Sequence, residues 1–305
     1  DPNQQITVNS ISMFLSIAGC VVAGTFIPVY LAKAGTSPEV WKTFAFVIGI
    51  PSAIISSIRF FIIKENNNVQ GNVQTQEKFN FLEGVKLLAK NKYVMILALA
   101  LLFTNIAIYM SSVNPFYVEQ VFGDISKQSV MSICGAVAPF TVLLYPAIAK
   151  RTGKKKLIIT ALALGIIGKL LPLINLQSVV LLGAGTVLST IAYTPLTVLT
   201  INMLIDCMDY GEWKFKKRGE GIYSCISGFC SKIGTGLGTW LVGFVMTIGG
   251  YVSEAGSQSA INSIIGAYTV IPAVLYLLSA IAIYFYKLDD ELPQIHAELE
   301  ERRGA

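Results

Sequence analysis

The sequence predicts an all-α polytopic membrane protein, and three observations carry that prediction. Hydrophobic residues make up 53% of the 305 residues and charged residues only 13%, whereas a soluble chain has about 25% charged residues. Mean hydropathy is +0.62. The apolar residues fall into eight runs, each close to the ~20 residues that a helix needs to cross a bilayer. Helices are expected there because lipid offers backbone polar groups no other partner.

Each predicted span is bounded by polar or charged segments. Several prolines fall inside the spans, where a polytopic bundle tolerates them as kinks or breaks. The eight predicted membrane-spanning helices cover residues 10–32, 42–63, 94–118, 129–149, 156–174, 178–205, 221–248 and 264–286.

The lysines and arginines predict the orientation. Seventeen of the 23 lie in four segments that are separated by even numbers of spans. Lys169, by contrast, lies near an outer helix end. The positive-inside rule therefore places the basic side, and both termini of this chain, in the cytoplasm, with the protein in the cytoplasmic membrane. The basic segments are 64–92, 150–156, 214–218 and 287–303.

The inner loops divide the chain into four parts. Residues 64–80 are rich in Asn and Gln and lack periodicity, which indicates a flexible linker. An amphipathic interfacial helix follows the linker. Two spans precede this segment and six follow it, and a six-helix unit is typical of one half of a twelve-helix transporter. The predicted parts are 1–63, the last two helices of an N-terminal bundle; 64–92, linker and interfacial helix; 93–287, a C-terminal six-helix bundle; and 288–305, a cytoplasmic tail.

Lys232 is the most informative single residue. It lies about a dozen residues inside an apolar segment of roughly thirty, and an unpaired ammonium group in hydrocarbon costs several kcal/mol. A lysine stem reaches about one helical turn, and Lys232 lies about three turns deep. The sequence therefore favours a place facing a watery pathway, while an amine that snorkels to the inner surface stays open as the alternative. Nearby, the spacing of Gly234 and Gly238 predicts close helix packing.

Two aspartates, Asp206 and Asp209, lie at the inner end of the sixth span. Because they are three residues apart, they can face the same partner. One interpretation pairs them with Arg218 or Lys216 across the inner mouth, where the ion pairs would break when the protein changes conformation. The other interpretation is that they are simply solvated acids at a helix end.

Other classes of protein fit the sequence less well. A membrane-embedded enzyme would need acids, a nucleophile–base couple or metal ligands inside the bilayer, and the predicted spans carry no acid between their ends and no histidine. The single histidine, His296, lies in the tail, and the five cysteines form no zinc-type ligand set. A channel or receptor would need neither six-helix halves nor a deep lysine. We therefore expect no enzyme activity, no metal, no cofactor and no nucleic-acid partner.

The run DYGEWKFKKRGEG, followed by SKIGTGLG, resembles the signature of the glycoside–pentoside–hexuronide:cation symporters of the major facilitator superfamily. DPNQ at the start and KRTGKKK in the middle resemble two cytoplasmic loops of that family. The resemblance implies the major facilitator fold, with this chain as helices 5–12 of twelve. The first four helices, and most acids of the coupling-cation site, would then be absent from this sequence.

The resemblance also implies roles for individual residues. Asp206 and Asp209 match the acidic inner gate motif, and Arg218 and Glu220 match its continuation. Lys232 matches the lysine that faces the central cavity near sugar and cation.

Polar residues within the spans are candidate sugar contacts, because a sugar needs several hydrogen-bond partners and a flat apolar face. Hydrogen bonding between packed helices explains each of them equally well. We favour Asn105, Tyr193 and Thr197 as sugar contacts. Thr197 falls where a well-known family member has a tryptophan beside the sugar.

The resemblance implies cation-coupled symport of a sugar or glycoside by alternating access, with Na⁺ or H⁺ as the coupling ion. The expected partners are the sugar, that cation and the lipid bilayer. The alternative is a major facilitator transporter of a lipid, a peptide or another small solute on the same scaffold.

Overall fold

The structure is a computed structural model, and it describes most of the chain. Helices are the only regular secondary structure in the described part, which agrees with the predicted all-α class. Residues 10–18 and 21 of the first predicted span, the linker 64–80 and Arg218 lie outside the described residues. The described residues are 19–20, 22–35, 37–62, 81–142, 144–216, 220–251 and 257–304.

The described part of the chain contains these helices in order: α1 (Val22–Ala34), α2 (Pro38–Ile62), α3 (Phe81–Lys90), α4 (Lys92–Tyr109), α5 (Asn114–Phe122), α6 (Gln128–Gly135), α7 (Ala138–Val142), α8 (Tyr145–Thr152), α9 (Lys154–Leu170), α10 (Val179–Phe215), α11 (Glu220–Ile248), α12 (Gln258–Tyr268), α13 (Val270–Tyr284) and α14 (Leu288–Gly304). Helix α3 is the amphipathic segment expected after the linker.

Six stretches of the described chain are long and apolar enough to cross a membrane. Four of them overlap predicted spans closely. Val179–Phe215 continues ten residues beyond the predicted end at residue 205, and the last stretch continues beyond its predicted end into α14. The shorter helix α1 covers the described part of the first predicted span. The six stretches are Pro38–Ile58, Lys92–Phe122, Lys154–Ile174, Val179–Phe215, Ile222–Ile248 and Gln258–Glu301.

The predicted span 129–149 is not one continuous helix in the structure. It consists of the three short helices α6, α7 and α8. Pro139 lies in α7, and Pro146 lies in the first turn of α8. Proline cannot donate a backbone hydrogen bond and clashes with the preceding turn, so both positions suit the start of a helix better than its interior. This segment is not among the six stretches of the described chain that are long and apolar enough to cross a membrane as one helix.

Helix α4 is at the centre of the described bundle. It packs against α11 on one side and α13 on another, while α10 packs along α9. Val94, Leu97 and Ala100 of α4 are almost completely buried. Thr104 of α4 bonds the hydroxyl of Ser279 on α13 at 2.8 Å. Thr104, a polar residue within the third predicted span, therefore joins two helices.

Two glycines bring α11 into direct contact with the backbone of α4. A Cβ atom on Gly238 would lie 2.7 Å from the carbonyl oxygen of Ile106 and 2.9 Å from the Cβ of Tyr109. A Cβ on Gly234 would collide with the Cβ of Asn105. This agrees with the packing role that the GxxxG spacing predicts.

Asn91 ties the inner ends of three helices together. It is fully buried, and its side-chain oxygen caps α4 by accepting from the backbone N–H groups of Tyr93 and Val94. Its amide group donates to the carbonyl oxygen of Cys207 on α10 at 2.8 Å and to the hydroxyl of Tyr223 on α11 at 3.1 Å. One buried amide thus fixes the spacing of α4, α10 and α11 at their inner ends.

Helix α1 reaches the bundle through α6. The hydroxyl of Ser129 donates to the carbonyl oxygen of Thr25 at 3.1 Å, and Gly24 lies against the side chain of Ser132. Most of the side chains of α2, in contrast, are exposed within the described structure. The packed bundle is therefore formed by α4 to α14.

We predict that Gly238→Ala destabilises the protein, whereas Gly236→Ala does not. The added methyl group at position 238 meets the backbone of α4, and helix separation of this kind costs about 1–3 kcal/mol. Gly236 has nothing within 4 Å of an added Cβ, so alanine there costs nothing in packing and improves helix propensity. Apparent unfolding midpoints of the two purified variants measure the difference. Equal midpoints would contradict the packing role.

Candidate functional site

Lys232 lies near the middle of helix α11. At the 1.5 Å rise of an α-helix it is about 18 Å from the start of α11. Its side chain is exposed, and it lies within electrostatic range of Tyr109 on α4. The hydroxyl of Tyr109 in turn lies beside the hydroxyls of Ser231 and Thr235. The amine therefore lies at mid-span depth, within electrostatic range of a tyrosine whose hydroxyl is next to two others.

Lys232 lies on a narrow strip of small residues along α11, beside the larger exposed side chains of Phe229 and Trp240. The positions within about 40° of Lys232 around the helix axis that are exposed are Cys225, Gly228, Gly236, Thr239 and Gly243. By contrast, the exposed positions of α13 are large and apolar, as a lipid-facing helix requires; they include Val274, Leu277, Leu278 and Ile281. The face that carries Lys232 suits a polar space or close contact with another helix better than it suits acyl chains.

Asn105 lies next to this face. It is half-buried on α4, its amide donates to the carbonyl oxygen of Leu101 at 2.7 Å, and its Cβ packs against Gly234. Asn105 and Lys232 therefore lie at similar depth at the contact of α4 and α11. The amide of Asn105 already has one backbone partner, which leaves its oxygen to accept a further bond.

Tyr193 and Thr197 lie one turn apart on α10. The exposed hydroxyl of Thr197 donates to the carbonyl oxygen of Tyr193 at 3.0 Å. The half-buried side chain of Tyr193 lines a cavity inside the bundle, next to Thr190. Thr197 is close to the midpoint of α10, so it lies near the middle of its span. The four favoured residues thus form two pairs, one on α4 and α11 and one on α10.

The inner end of α10 carries an ion pair with α9. The carboxylate of Asp206 accepts a charged hydrogen bond from the amine of Lys154, the first residue of α9. Both side chains are largely buried, with 13% and 28% of their surfaces exposed. The sequence predicted an ion-paired mouth with Arg218 or Lys216, and Lys154 was recognised only as part of a basic loop.

Asp209, one turn further along α10, faces the C-terminal helix. Its carboxylate lies 3.3 Å from Nε2 of His296 on α14, and it has further interactions in the structure. Glu220 begins α11, and Arg218 lies outside the described residues. Lys216 ends α10 in a left-handed conformation with φ of 56° and an exposed side chain. The predicted pairing of the aspartates with Arg218 stays a prediction.

Helix α14 packs across the inner end of the bundle. Its apolar face is buried, and its polar face bonds two neighbouring helices. The indole N–H of Trp213 on α10 donates to a carboxylate oxygen of Glu298 at 2.6 Å, and the hydroxyl of Tyr93 on α4 donates to Glu291. The buried residues of α14 are Leu288, Leu292, Ile295 and Leu299.

Sequence reasoning placed α14 only as a tail, and it missed Lys154, His296 and Glu298. The spacing of the four buried aliphatic residues of α14, three and four apart, was the signal that a docked amphipathic helix was present. No comparable signal existed for Lys154, because five basic residues between 150 and 156 are equivalent by sequence. Among the described residues, no group of three His, Cys, Asp or Glu side chains could hold a metal ion.

The described helices define a multi-pass membrane bundle with an exposed lysine half-way through one span and an ion-paired inner end. A charged residue at mid-span depth is typical of a solute or ion pathway through a membrane protein. The sequence matches the model of the family described as "MFS/sugar transport protein" over residues 1–290, and the chain belongs to this family. The membership confirms the resemblance to major facilitator sugar symporters. It also confirms that the chain belongs with transporters rather than enzymes.

Three relatives illustrate the family. The chain is 28% identical over 316 residues to the isoprimeverose transporter of Lactiplantibacillus pentosus, covering 100% of this chain and 64% of that protein. It is 25% identical over 313 residues to an uncharacterized symporter of Bacillus subtilis (strain 168), covering 98% and 66%. It is 26% identical over 305 residues to a putative 2,3-dihydroxypropane-1-sulfonate exporter of Salmonella typhimurium, covering 95% and 64%. The chain thus spans just under two thirds of the length of these relatives.

We predict that the charges of Lys154 and Asp206 are coupled. Removing either partner leaves the other charge largely buried, so Lys154→Met and Asp206→Asn should each destabilise the protein, and the double variant should lose less than the sum. Pairs in direct contact typically show coupling of about 0.5–3 kcal/mol. A double-mutant cycle on unfolding in detergent measures this energy.

The matched control is Lys155→Met combined with Asp206→Asn. The amine of Lys155 lies 5.3 Å from the ring centre of Tyr284 instead, so this pair should be additive. Coupling as large for Lys155 as for Lys154 would refute a specific ion pair.

Proposed function

We propose that this chain is the larger part of a cation-coupled symporter that carries a sugar or glycoside across the cytoplasmic membrane by alternating access. The observation that carries the proposal is the exposed side chain of Lys232 at mid-span, which lies on a strip of small residues and within electrostatic range of Tyr109. A charged group is tolerated at that depth when water or a polar solute reaches it. A solute pathway along α11 provides both.

The chemistry of the site suits a polyhydroxylated substrate. Lys232 offers hydrogen-bond donors and no acceptor, whereas the amide of Asn105 and the hydroxyls of Thr197 and Tyr193 offer both. Tyr193 also supplies a flat aromatic face, which sugars prefer. The family and the isoprimeverose transporter among its relatives support a sugar as the substrate.

The inner end of α10 would serve as the cytoplasmic gate. Asp206 is held by Lys154 and Asp209 by His296 of α14, and Arg218 and Glu220 would extend this network around the mouth. Ion pairs at a moving interface can break in one state and re-form in the other. Each transport cycle would therefore open the inner mouth by exchanging these partners.

Coupling to Na⁺ or H⁺ is supported by the symporter name of one relative and by the resemblance of the gate motif. The resemblance implies that most of the acids that bind the cation lie on the first four helices of the family. Both termini of the chain would face the cytoplasm, because the basic loops lie on that side.

A second candidate is transport of another small solute on the same scaffold. The relative named as a putative 2,3-dihydroxypropane-1-sulfonate exporter favours it. Lys232 would then meet an anionic group of the solute rather than a hydroxyl. The same alternative includes transport of a lipid or a peptide.

We predict that Lys232→Leu abolishes solute exchange without preventing membrane insertion. The measurement is counterflow of radiolabelled isoprimeverose in membrane vesicles that contain the protein, with and without sodium. The wild-type chain should exchange the sugar above the level of empty vesicles, and the variant should not, because leucine removes every donor at that position.

Lys127→Leu is the control, since Lys127 is paired with Asp124 in a loop far from the inner end of the bundle and from Lys232. It should keep full exchange. Undiminished exchange by Lys232→Leu would remove the amine from the pathway. Exchange of 2,3-dihydroxypropane-1-sulfonate but not of the sugar would favour the second candidate.

A further inference from the structure

The cavity that Tyr193 lines lies inside the bundle, and Lys232 is not among the described residues that border it. It measures about 240 Å³. Residues from α4, α5, α6, α9, α10, α12 and α13 line it, together with the turn that joins α4 to α5. Tyr193 is the only one of the proposed pathway residues that borders it. This cavity is therefore a separate space that adjoins the pathway at one side chain.

Lys169 supplies the charge in this cavity. It lies on α9, and its amine lies over the ring of Tyr268 on α12 at 4.7 Å from the ring centre. No aspartate or glutamate is among the described residues that line the cavity, and none forms an ion pair with Lys169 in the described part of the chain. The positive charge is thus enclosed by the bundle with an aromatic ring as its contact.

An aromatic ring compensates an enclosed ammonium group only in part. A cation–π contact is weaker than a paired and hydrogen-bonded carboxylate. Intramembrane lysines usually pair with an acid or face water. Lys169 therefore lacks the counter-charge that its position calls for.

The rest of the lining consists of neutral hydrogen-bonding groups. Gln128 and Asn114 carry amides, and Ser111 and Thr190 carry hydroxyls. The side-chain oxygen of Asn114 is buried without a hydrogen-bond partner. An amide can present its NH₂ group instead when it turns by 180°, so this orphaned group can become a donor toward the cavity.

We propose that this cavity binds a small anion beside the amine of Lys169. The ligand class is a halide or a small carboxylate, held by the ammonium group and by amide and hydroxyl donors. The charge of Lys169 disfavours a metal cation, and the described residues of the lining offer it no acidic ligand. A water molecule takes about 30 Å³ in the liquid, so the cavity has room for the anion together with several waters.

A bound anion would link helices from different parts of the bundle. Lys169 lies on α9 and its ring partner on α12, while the amide and hydroxyl donors come from α6, α10 and the start of α5. A ligand shared by these elements stabilises the bundle as a whole, because it binds the folded state and not the unfolded chain.

The test is thermal unfolding of the purified chain during titration with chloride. Ionic strength is held constant with the bulky anion HEPES, and acetate replaces chloride in a second arm. At about 100 times the dissociation constant, bound chloride should raise the apparent midpoint by several degrees. Lys169→Met, which keeps the length of the side chain but removes the charge, should abolish the shift. Lys127→Met, in the outer loop, should retain it.

A second measurement does not depend on the folding of the lysine variant. Line broadening of ³⁵Cl in the NMR spectrum reports chloride binding to the wild-type chain directly, and Gln128→Met should weaken the apparent affinity several-fold. A shift with acetate alone would assign the site to carboxylates, and a shift with both anions would assign it to small anions in general. The proposal is overturned if neither anion stabilises the wild-type chain, or if Lys169→Met or Gln128→Met leaves anion binding unchanged.

Discussion

The structure depends on one constraint: a charge inside a bilayer must meet water, a counter-charge or both. Most charged residues satisfy it by lying between the spans. Lys154 satisfies it by pairing with Asp206 at the inner end of α10. Lys232 lies too deep for either solution within its own helix, and the part of the chain that the structure describes offers it hydroxyl neighbours but no acid. A wet pathway along α11 resolves this, and the transport proposal follows from it.

The same constraint explains how the helices pack. Lipid provides no hydrophobic drive for helix association, so the bundle relies on close contact and on satisfied polar groups. Gly234 and Gly238 provide the contact between α4 and α11, and Asn91 joins three helix ends by hydrogen bonds. Helix α14 packs over the same end of the bundle. Rigid packing at the inner end and an exposed small-residue face at mid-span are what a rocking transporter requires.

Sequence alone was sufficient for the features that depend on local pattern. Apolar runs predicted the helices, the depth of Lys232 predicted an unusual environment, and the GxxxG spacing predicted close helix packing on α11, although not that α4 is the neighbour. Sequence alone did not predict the features that depend on which distant residues come into contact in the fold. Nothing in a run of basic residues singles out Lys154 as the partner of Asp206, and hydropathy over 129–149 does not reveal where α6, α7 and α8 begin. The polar composition of the tail also concealed the docking of α14.

The accessibility of position 232 tests the central claim most directly. In a chain whose five native cysteines are replaced by alanine, Lys232→Cys is compared with Leu164→Cys, which is exposed at mid-span on α9. A charged, membrane-impermeant methanethiosulfonate reagent is applied to the protein in lipid vesicles. The account predicts rapid modification at position 232 and none at position 164, because only the first lies on an aqueous pathway. Equal protection of both positions would mean that Lys232 faces lipid or a dry contact, and would contradict the account.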